Sequence, residues 1–381
     1  MKTLKIGILG GGFMGKTHSN AFHTIPYMFY PRKFEIERTA VCEINMEKAN
    51  LAADRYGYLK AYDDYDKMLE ESGIDVFDHA GPDPLHYPVA MKAIACGKHI
   101  YCEKPIAGTA AEALQMYKAA EAAGIVHMSG FNYRFFPANR LARKLLSEGT
   151  IGSIYHARFI YDQPYGASDK LKAEDIWYNN TGGANGVGQA IGVHVADLAR
   201  FLLGDIVSLM GLSKIYKPQR PSRNGDMVKM VGEEGSFALV DYANGASGTI
   251  ESTEMALGKS NDLHWEIFGS KGSMSFSLEN PSYLKVHLED SPVKEVSGIT
   301  DVSVTNSALD HPYSDIWWPL GHVIGWEHGH IAAIEHFLDC VANGGSVSPL
   351  GATFYDGYIA EQIVEAIKLS SEQGKRIDIA L

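Results

Sequence analysis

The feature that most constrains the fold is the start of the chain, where a short apolar run leads through glycines into a helical pattern. The apolar run covers residues 5–9, and the sequence GGGFMG covers residues 10–15. In a strand–turn–helix unit the first glycine permits the tight turn, the second allows close approach of a ligand, and the third allows close packing of helix on strand. The helix start then offers free N–H groups and a positive dipole end to an anion. The pattern predicts a dinucleotide pyrophosphate site, whose residues are Gly10, Gly12, Phe13, Met14 and Gly15.

Strands and helices continue to alternate through the first third of the chain. The runs IGIL and TAVC are short and continuously apolar, which is typical of parallel strands buried on both faces of a sheet. We predict a doubly wound parallel sheet, a Rossmann domain, over residues 1–130, with helices between its strands. The predicted strands are 5–9, 35–42, 75–80, 99–102 and 125–130.

The pattern changes in the remaining residues, 131–381. Segments such as SIYHARFIY and HWEIFGSKGSMSFSL alternate apolar and polar residues, and Asn244-Gly245 and Lys271-Gly272 are turn signals. They predict a second domain, of α+β type, with an antiparallel or mixed sheet that has one covered face. Helices are predicted at 327–342 and 355–373, either within this domain or packed back on the first, and loops at 218–226 and 296–319.

Length and charge restrict the classes of function. A chain of 381 residues is expected to form two domains rather than one. Its formal net charge of -12 would repel a phosphate backbone, so nucleic acid is not an expected partner. No apolar run is long enough to span a membrane, and the four cysteines lack CxxC spacing, so we expect them to be reduced and buried. These features predict a cytoplasmic enzyme that acts on a small molecule.

An acidic residue follows the second predicted strand, in the segment AVCEINMEKA. Glu43 lies where a carboxylate would accept hydrogen bonds from the adenosine ribose and repel a 2'-phosphate, so NAD is preferred over NADP. Its spacing from the glycines is longer than usual, and the insert IPYMFYPRKF accounts for the excess. The alternative is that Glu43 only caps the helix that follows.

A lysine lies just after the fourth predicted strand, in GKHIYCEKPIAG. Lys104 is therefore expected at the carboxyl edge of the sheet, where doubly wound proteins bind ligands. Pro105 restricts Lys104 to an extended backbone, which fixes the direction of its side chain, and the sequence is compatible with a cis bond between them. The alternative is an ordinary surface lysine at the end of a strand.

Six motifs occur in a fixed order along almost the whole chain. They are GILGGGFMGKTH at 7–18, AVCEIN at 40–45, GPDPLHYPVAMKAIACGKHIYCEKP at 81–105, GFNYRFFPA at 130–138, GVHVADLARFLLG at 192–204 and EIFGSKGSMSF at 266–276. Together they resemble the Gfo/Idh/MocA family of oxidoreductases, to which GKHIYCEKP is highly specific. The resemblance implies a Rossmann domain followed by a domain with a largely antiparallel open sheet. It also implies NAD(P)-linked hydride transfer at a carbon of a sugar, glycoside or cyclic polyol, and a homodimer or homotetramer.

The resemblance also implies the catalytic residues. In such enzymes the lysine of the EKP motif and the histidine of a GxHxxD helix work with an aspartate four residues before that histidine. The three positions are Lys104, His194 and Ala190 in this chain, so the aspartate is absent. Lys104 and His194 are the catalytic candidates, and proton transfer is expected to proceed without the aspartate.

Oxidation of a secondary alcohol requires a base that removes the hydroxyl proton as hydride leaves. His194 titrates near neutral pH without assistance, whereas Lys104 would need its ammonium form to be disfavoured. We therefore predict that His194 is the base and that Lys104 polarises the substrate oxygen. Asp197 lies three residues further along the same helix face, where it is placed to orient the imidazole. The alternative is that His194 is a core histidine satisfied by a backbone carbonyl.

Further residues are predicted to contact the cofactor or the substrate. Gln189 either hydrogen-bonds the substrate or faces solvent at the helix entry. Trp326 and His328 begin a C-terminal helix, and an indole face and an imidazole suit a sugar ring. The predicted cofactor contacts beyond the glycine loop and Glu43 are Pro82, Asp83, His86, Glu103, Lys104 and Arg134, and the substrate candidates are Gln189, Asp197, Trp326 and His328.

A metal centre is not expected from the C-terminal histidines. The spacings of His328, His330 and His336 do not place the three on one helical face. NAD is therefore the only cofactor that the sequence predicts.

Two alternatives to simple dehydrogenation stay open. An enzyme could hold NAD tightly and oxidise a sugar carbon transiently to drive elimination or glycoside cleavage. A dinucleotide-binding sensor without catalysis is the other alternative, and the alanine at position 190 is compatible with it.

Overall fold

The computed structural model describes residues 1–179, 185–291, 297–306 and 315–380. Helices over these residues are α1 (Phe13–Met28), α2 (Met46–Tyr56), α3 (Tyr65–Glu71), α4 (His86–Ala95), α5 (Ala110–Ala123), α6 (Pro137–Ser147), α7 (Val193–Leu203), α8 (Trp326–Asn343) and α9 (Phe354–Gln373). Strands are β1 (Thr3–Leu9), β2 (Glu35–Cys42), β3 (Lys60–Tyr62), β4 (Val76–His79), β5 (His99–Cys102), β6 (His127–Ser129), β7 (Ile154–Asp162), β8 (Ile206–Lys214), β9 (Gln219–Pro221), β10 (Met227–Lys229), β11 (Gly235–Tyr242), β12 (Ser247–Thr253), β13 (Asp262–Gly269), β14 (Gly272–Ser277), β15 (Tyr283–Leu288), β16 (Thr300–Ser303) and β17 (Ile377–Asp378).

The chain divides into two compact units. The first comprises Met1–Phe135 and Gly325–Tyr358, and the second comprises Phe136–Ile324 and Ile359–Leu381. The sequence places the boundary after residue 130, whereas the first unit extends five residues further and takes in α8. Phe131, Tyr133 and Phe135 are buried, which explains why this segment packs as part of a core rather than as a linker.

The first unit contains the predicted doubly wound sheet. Its strand order is β3-β2-β1-β4-β5-β6, and every pair is parallel. All five predicted strands are present. The structure adds a sixth, β3, which was not predicted because its three residues are exposed or half-buried and show no apolar pattern. The strands predicted at 75–80 and 125–130 are shorter than expected, at Val76–His79 and His127–Ser129.

Helix α8 joins the first unit by packing on α1. Its buried face is apolar and includes Ile331, Ile334, Phe337 and Leu338. Burial of each such side chain contributes about 1.5–3 kcal/mol. This packing brings residues that are some 300 positions apart in sequence onto adjoining helix faces, as the pair of rings His18 and His330 shows.

The second unit contains a nine-stranded sheet in the order β16-β15-β14-β13-β7-β12-β11-β8-β17. Its pairs are antiparallel except β7 and β12, so the predicted mixed, largely antiparallel sheet is confirmed. Buried Ala157, Phe159 and Tyr161 alternate along β7 with exposed or half-exposed residues, as expected for one covered face. Turns at Asn244-Gly245 and at residues 270–271 close the two predicted hairpins.

Two predicted loops contain strands. Residues 219–221 of the predicted loop 218–226 form β9, which pairs with β10 in a separate ribbon. Residues 300–303 of the predicted loop 296–319 form β16 at the edge of the large sheet, while residue 296 and residues 307–314 lie outside the described residues. Both strands are short and polar, so no apolar pattern predicts them. They are recognised only by their pairing with a neighbouring strand.

Two remaining expectations concern membranes and cysteines. Among the described residues, no helix has both the length and the apolar character needed to cross a bilayer. The four cysteines are free thiols, but Cys96 is exposed, contrary to the expectation that all are buried.

Candidate active site

The glycine loop has the shape of a phosphate cradle. Gly10 has a φ of +94°, and a Cβ there would lie 2.7 Å from the Ala80 carbonyl oxygen. A Cβ at Gly15 would lie 1.9 Å from the Gly10 carbonyl oxygen, so both positions require glycine. Gly12 faces open space, and α1 starts at Phe13 without a side-chain cap. The first N–H groups of α1 therefore remain available to a dinucleotide pyrophosphate.

Glu43 lies beside this loop at the end of β2. Its Oε1 accepts the Gly11 N–H at 2.7 Å, and its Oε2 accepts the Ile44 N–H at 3.1 Å. A cavity of about 260 Å³ opens here, lined by Gly11, Gly12, Glu43, Lys48, Leu51, Ala52, Arg55 and Tyr56. The carboxylate is thus fixed next to the cradle, and its predicted contact with the adenosine ribose stays a prediction.

Pro82, Asp83 and His86 follow β4 at the same edge of the sheet. Asp83 begins a short 3₁₀ turn, and His86 begins α4. The ring nitrogens of His86 lie 2.5 Å from the Pro105 carbonyl oxygen and 3.1 Å from that of Gly81. Burial lowers the pKa of His86. The ring holds the two neighbouring loops together, and its predicted contact with the cofactor stays a prediction.

Lys104 follows β5, and its peptide bond to Pro105 is cis. Its backbone N–H donates to Oε2 of Glu103 at 3.2 Å. The other oxygen of that carboxylate, Oε1, lies 3.2 Å from Nε2 of His18 on α1. Nδ1 of His18 lies 2.9 Å from both carboxylate oxygens of Asp78, in β4. Asp78, His18 and Glu103, which we call the buried ion cluster, thus adjoin the predicted catalytic lysine.

The buried ion cluster is shielded from water, and its charged groups strongly affect one another. Burial alone would lower the pKa of His18, but Asp78 and Glu103 outweigh burial and raise that pKa to about 10. Burial would raise the pKa of Glu103, yet the hydrogen bond and charge of His18, with a smaller effect of Lys104, lower it. At neutral pH the cluster therefore contains an imidazolium and ionised Glu103.

The first turns of α8 extend this region toward the glycine loop. The indole of Trp326 stacks on Phe13 with ring centroids 5.4 Å apart, and its centroid lies 4.4 Å from that of His330. Burial lowers the pKa of His330 to about 3, so this ring is neutral. Nδ1 of His328 accepts the Gly325 N–H at 3.0 Å and thereby caps the helix. Trp326 therefore contacts the cofactor loop, whereas His328 has a structural partner.

Arg134 is buried within the first unit. Its guanidinium donates to the Gly351 carbonyl oxygen at 3.1 Å and pairs with Asp356 at 3.1 Å. These contacts tie the 3₁₀ turn at 132–135 to the segment before α9 and its first turn. Its predicted contact with the cofactor stays a prediction.

The second unit contains His194, in the first turn of α7. A π-helical turn at Gly188–Gly192 precedes the helix, and such turns are frequent at functional sites. His194 and Asp197 are both buried, and the His194 ring lies 6.1 Å from the ring of Tyr161. Residues 180–184, which precede this turn, lie outside the described residues.

Gln189 does not face solvent, so that alternative is wrong. Its side chain is only 4% exposed because the π-helical turn is packed against α9 within the second unit. Its Oε1 accepts the Asn185 N–H at 2.8 Å, and its Nε2 donates to Glu361 at 3.2 Å. Ala190, at the position where the resemblance implies an aspartate, is fully buried.

One group of side chains in the described part of the chain has the spacing of metal ligands. Ligand atoms of His18, Glu103 and His330 all lie within 4.8 Å of one another. A metal would need a lone pair on the His18 ring, yet both ring nitrogens face carboxylate oxygens. The raised pKa of His18 also keeps its ring protonated. The geometry favours an ion cluster, and the expected absence of a metal stays a prediction.

Sequence reasoning missed His18, Asp78 and His330. One signal was available, because Gly15, His18 and Phe22 recur at helical spacing and so share the buried face of α1. Asp78 lies in an adjacent parallel strand to Glu103, at the same end of the sheet. A histidine on the buried face of α1, close to these two carboxylates, could have been predicted to pair with them. The contact with His330 depends on the packing of α8 and had no local signal.

Family models match both parts of the chain. The model for the oxidoreductase family with an NAD-binding Rossmann fold matches residues 4–131. The model for the GFO/IDH/MocA C-terminal domain matches residues 139–275. Together they cover well over half of the chain.

Individual proteins are similar along their whole length. A levoglucosan dehydrogenase of Pseudarthrobacter phenanthrenivorans is 36% identical, covering 100% of this chain and 99% of its own. A D-glucoside 3-dehydrogenase of Escherichia coli is 24% identical, covering 99% of this chain and 97% of its own. A solved structure of levoglucosan dehydrogenase in complex with NADH and levoglucosan has a TM-score of 0.93 at 35% identity, with 100% of both chains covered.

Proposed function

The chain belongs to the Gfo/Idh/MocA family of NAD-binding oxidoreductases, and from this premise we propose that it oxidises a secondary alcohol of a pyranose-type sugar. Levoglucosan is the first substrate to test, because a dehydrogenase of this anhydrosugar is 36% identical over the whole chain. Its free hydroxyl groups are all secondary, as the chemistry requires. D-Glucosides are the next class, since a D-glucoside 3-dehydrogenase is also similar along its length.

The observation that carries the proposal is the position of Lys104. It follows β5 at the carboxyl edge of the sheet whose first turn forms the dinucleotide cradle. Ligands of doubly wound sheets bind at this edge, so cofactor and lysine share one face of the first unit. Bound NAD supplies the hydride acceptor, and Glu43 with the glycine loop would hold its adenosine and pyrophosphate.

We assign separate roles to the two catalytic candidates. Lys104 donates a hydrogen bond to the oxygen of the alcohol that is oxidised and stabilises the charge that develops there. His194 accepts the hydroxyl proton. The carbon loses a hydride and the oxygen loses a proton, so the alcohol becomes a ketone. Asp197, on the same helix face, orients His194.

The four substrate candidates have different surroundings. We retain Trp326, whose indole adjoins the cofactor loop through Phe13. For Gln189 and His328 we propose holding roles instead, because each side chain is hydrogen-bonded within the protein: Gln189 to Glu361, and His328 to the backbone of Gly325. Such contacts would fix the turn before α7 and the start of α8.

Absorbance at the NADH band tests the proposed function. Purified protein with added NAD is mixed in turn with levoglucosan, D-glucosides, free sugars and inositols. Turnover beyond one equivalent with one of these classes is the expected result. If absorbance rises only by the amount of cofactor that copurifies with the protein, the result would contradict net dehydrogenation and favour transient oxidation. If absorbance does not change although NAD binding is measured, the result would favour a sensor.

Replacement of Lys104 tests the catalytic assignment. Lys104→Ala is expected to abolish hydride transfer, a loss of at least about 100-fold, because the developing charge loses its donor. NAD affinity, measured by fluorescence titration, should stay within about twofold of the parent, since the cradle is untouched. Unchanged turnover in this variant would refute the role of Lys104.

The proposal extends to assembly and location. We propose a homodimer or homotetramer, as in the family, and light scattering coupled to size-exclusion chromatography distinguishes these from a monomer. We also propose a cytoplasmic enzyme, supported by its free cysteines, which suit a reducing compartment.

A further inference from the structure

The Glu103 carboxylate contacts the His18 ring and the backbone amide of Lys104, both in the first unit. Its Oε1 is 3.2 Å from Nε2 of His18, and its Oε2 accepts the backbone N–H of Lys104 at 3.2 Å. The Lys104 ammonium and this carboxylate also attract each other, since Lys104 is one of the groups that help to lower the pKa of Glu103 after burial and His18. Whatever fixes Glu103 therefore acts on the backbone and the charge of Lys104.

His18 fixes one side of Glu103. Its Nδ1 lies 2.9 Å from each carboxylate oxygen of Asp78, and its side chain is 0% exposed. With one nitrogen bound to Asp78 and the other to Glu103, the ring has a single orientation. Asp78 thus orients His18, and His18 orients Glu103.

Gly130 packs closely against the Glu103 carboxylate. A Cβ at Gly130 would lie 2.6 Å from Oε1 of Glu103. The backbone N–H of Glu103 also donates to the His79 carbonyl oxygen at 3.0 Å. The carboxylate is therefore held by hydrogen bonds on one side and by close packing on the other.

The net charge of the buried ion cluster also connects it with Lys104. Asp78 and Glu103 are two buried acids against one imidazolium, and buried carboxylates are costly unless they are paired. His330 is neutral, because burial lowers its pKa to about 3. The charge of Lys104 is a further positive charge that favours ionised Glu103.

From these contacts we infer that His18 and Glu103 are positioning residues for Lys104, with His18 acting through the Glu103 carboxylate. The inference rests on the catalytic role proposed for Lys104. It predicts that damage to the buried ion cluster lowers the rate of hydride transfer while the dinucleotide cradle continues to bind NAD.

Three variants and one control test this inference in the full-length protein. Glu103→Gln removes the charge and keeps the shape, His18→Gln removes the imidazolium, and Gly130→Ala displaces Glu103 without removing any charged group. The control is His127→Gln, which also removes a buried histidine that pairs with a carboxylate, Glu121 at 2.8 Å, but lies outside the cluster.

The kinetic readout separates kcat from binding. Each cluster variant is expected to lose about 10- to 100-fold in kcat, because small misplacements of catalytic groups have effects of this size. NAD affinity and KM for the sugar should change by less than about threefold, and His127→Gln should keep the parental kcat. Since Glu103→Gln and Gly130→Ala leave the imidazole in place, the test survives if His18→Gln does not fold.

A second readout needs no substrate. Purified protein is treated with a limiting amount of acetic anhydride, and acylation of Lys104 is followed by mass spectrometry. In Glu103→Gln the ammonium loses its carboxylate, so the free-amine fraction should rise and acylation of Lys104 should accelerate several-fold relative to other lysines. This result would support the inference even if the sugar proposed above were wrong.

Specific results would overturn the inference. Parental kcat in Glu103→Gln and Gly130→Ala, or equal losses in the His127→Gln control, would show that the cluster does not position Lys104. Unchanged acylation of Lys104 in Glu103→Gln would do the same. So would one tightly held divalent metal per chain that His18→Gln removes, because the cluster would then be a metal site. Unchanged turnover in Lys104→Ala would instead refute the catalytic role proposed for Lys104, on which the inference rests.

Discussion

At the scale of single residues, we predict that Glu43 sets the preference for NAD over NADP. Its carboxylate is fixed beside the glycine loop by the Gly11 N–H at 2.7 Å, and Lys48 and Arg55 line the same cavity. Glu43→Ala should weaken NAD binding about tenfold or more, because the ribose loses a charged acceptor. NADP binding should improve, since the two cations can then pair with a 2'-phosphate. Fluorescence titrations with both dinucleotides measure the change.

The matched control for this substitution is Glu47→Ala, on the exposed first turn of α2. It removes an equal charge nearby without touching the cavity, so both affinities should match the parent. An unchanged ratio of NAD to NADP affinity in Glu43→Ala would show that Glu43 does not select the dinucleotide. A capping role for Glu43 is already wrong, because the side chain of Asn45 caps α2.

At the scale of elements, the π-helical turn before α7 depends on Gly186. This residue has a φ of +102°, and a Cβ there would lie 1.8 Å from Oε2 of Glu233. Gly186→Ala therefore adds a clash to backbone strain and should lower the free energy of unfolding by more than about 1–2 kcal/mol. Turnover should fall as well, because α7 carries His194. Thermal unfolding and steady-state kinetics measure the two effects.

Gly204 at the other end of α7 provides the control. It has a φ of +90°, but a Cβ there meets no atom within 4 Å. Gly204→Ala should therefore show only the cost of backbone strain, about 1–3 kcal/mol, with parental turnover. Equal destabilisation by the two substitutions would mean that the contact with Glu233 has no part in holding the turn.

At the scale of the whole molecule, stability should depend on pH through His18. The pKa of His18 in the folded protein is about 10, above its ordinary value of 6.5. Protonation therefore stabilises the fold: the contribution is complete below about pH 6.5 and is lost as the pH rises through about 10. Between about pH 7 and pH 10, the parent should lose at least about 1 kcal/mol more stability than His18→Gln.

Urea unfolding at several pH values provides this comparison. The net charge of -12 grows more negative at high pH and destabilises both proteins, so only the difference between them reports His18. Identical losses of stability would show that His18 does not carry its charge in the folded state.

Local patterns were sufficient for the Rossmann sheet, the glycine loop, Glu43 and the position of Lys104. Each of these depends on residues within one strand–turn–helix unit, so spacing and residue type suffice to predict them. The hairpins at Asn244-Gly245 and in the segment 262–277 were predicted for the same reason. By contrast, β3, β9 and β16 are short strands defined by their partners, and the local pattern did not reveal them.

The sequence by itself therefore determined the fold class, the NAD cradle and the motif that contains Lys104, because these are properties of neighbouring residues. Only the tertiary structure decided that His18 joins Asp78 and Glu103, and that α8 places His330 and Trp326 against α1 and the glycine loop. Those contacts link elements far apart along the chain, and they form because apolar faces pack and buried charges must be paired.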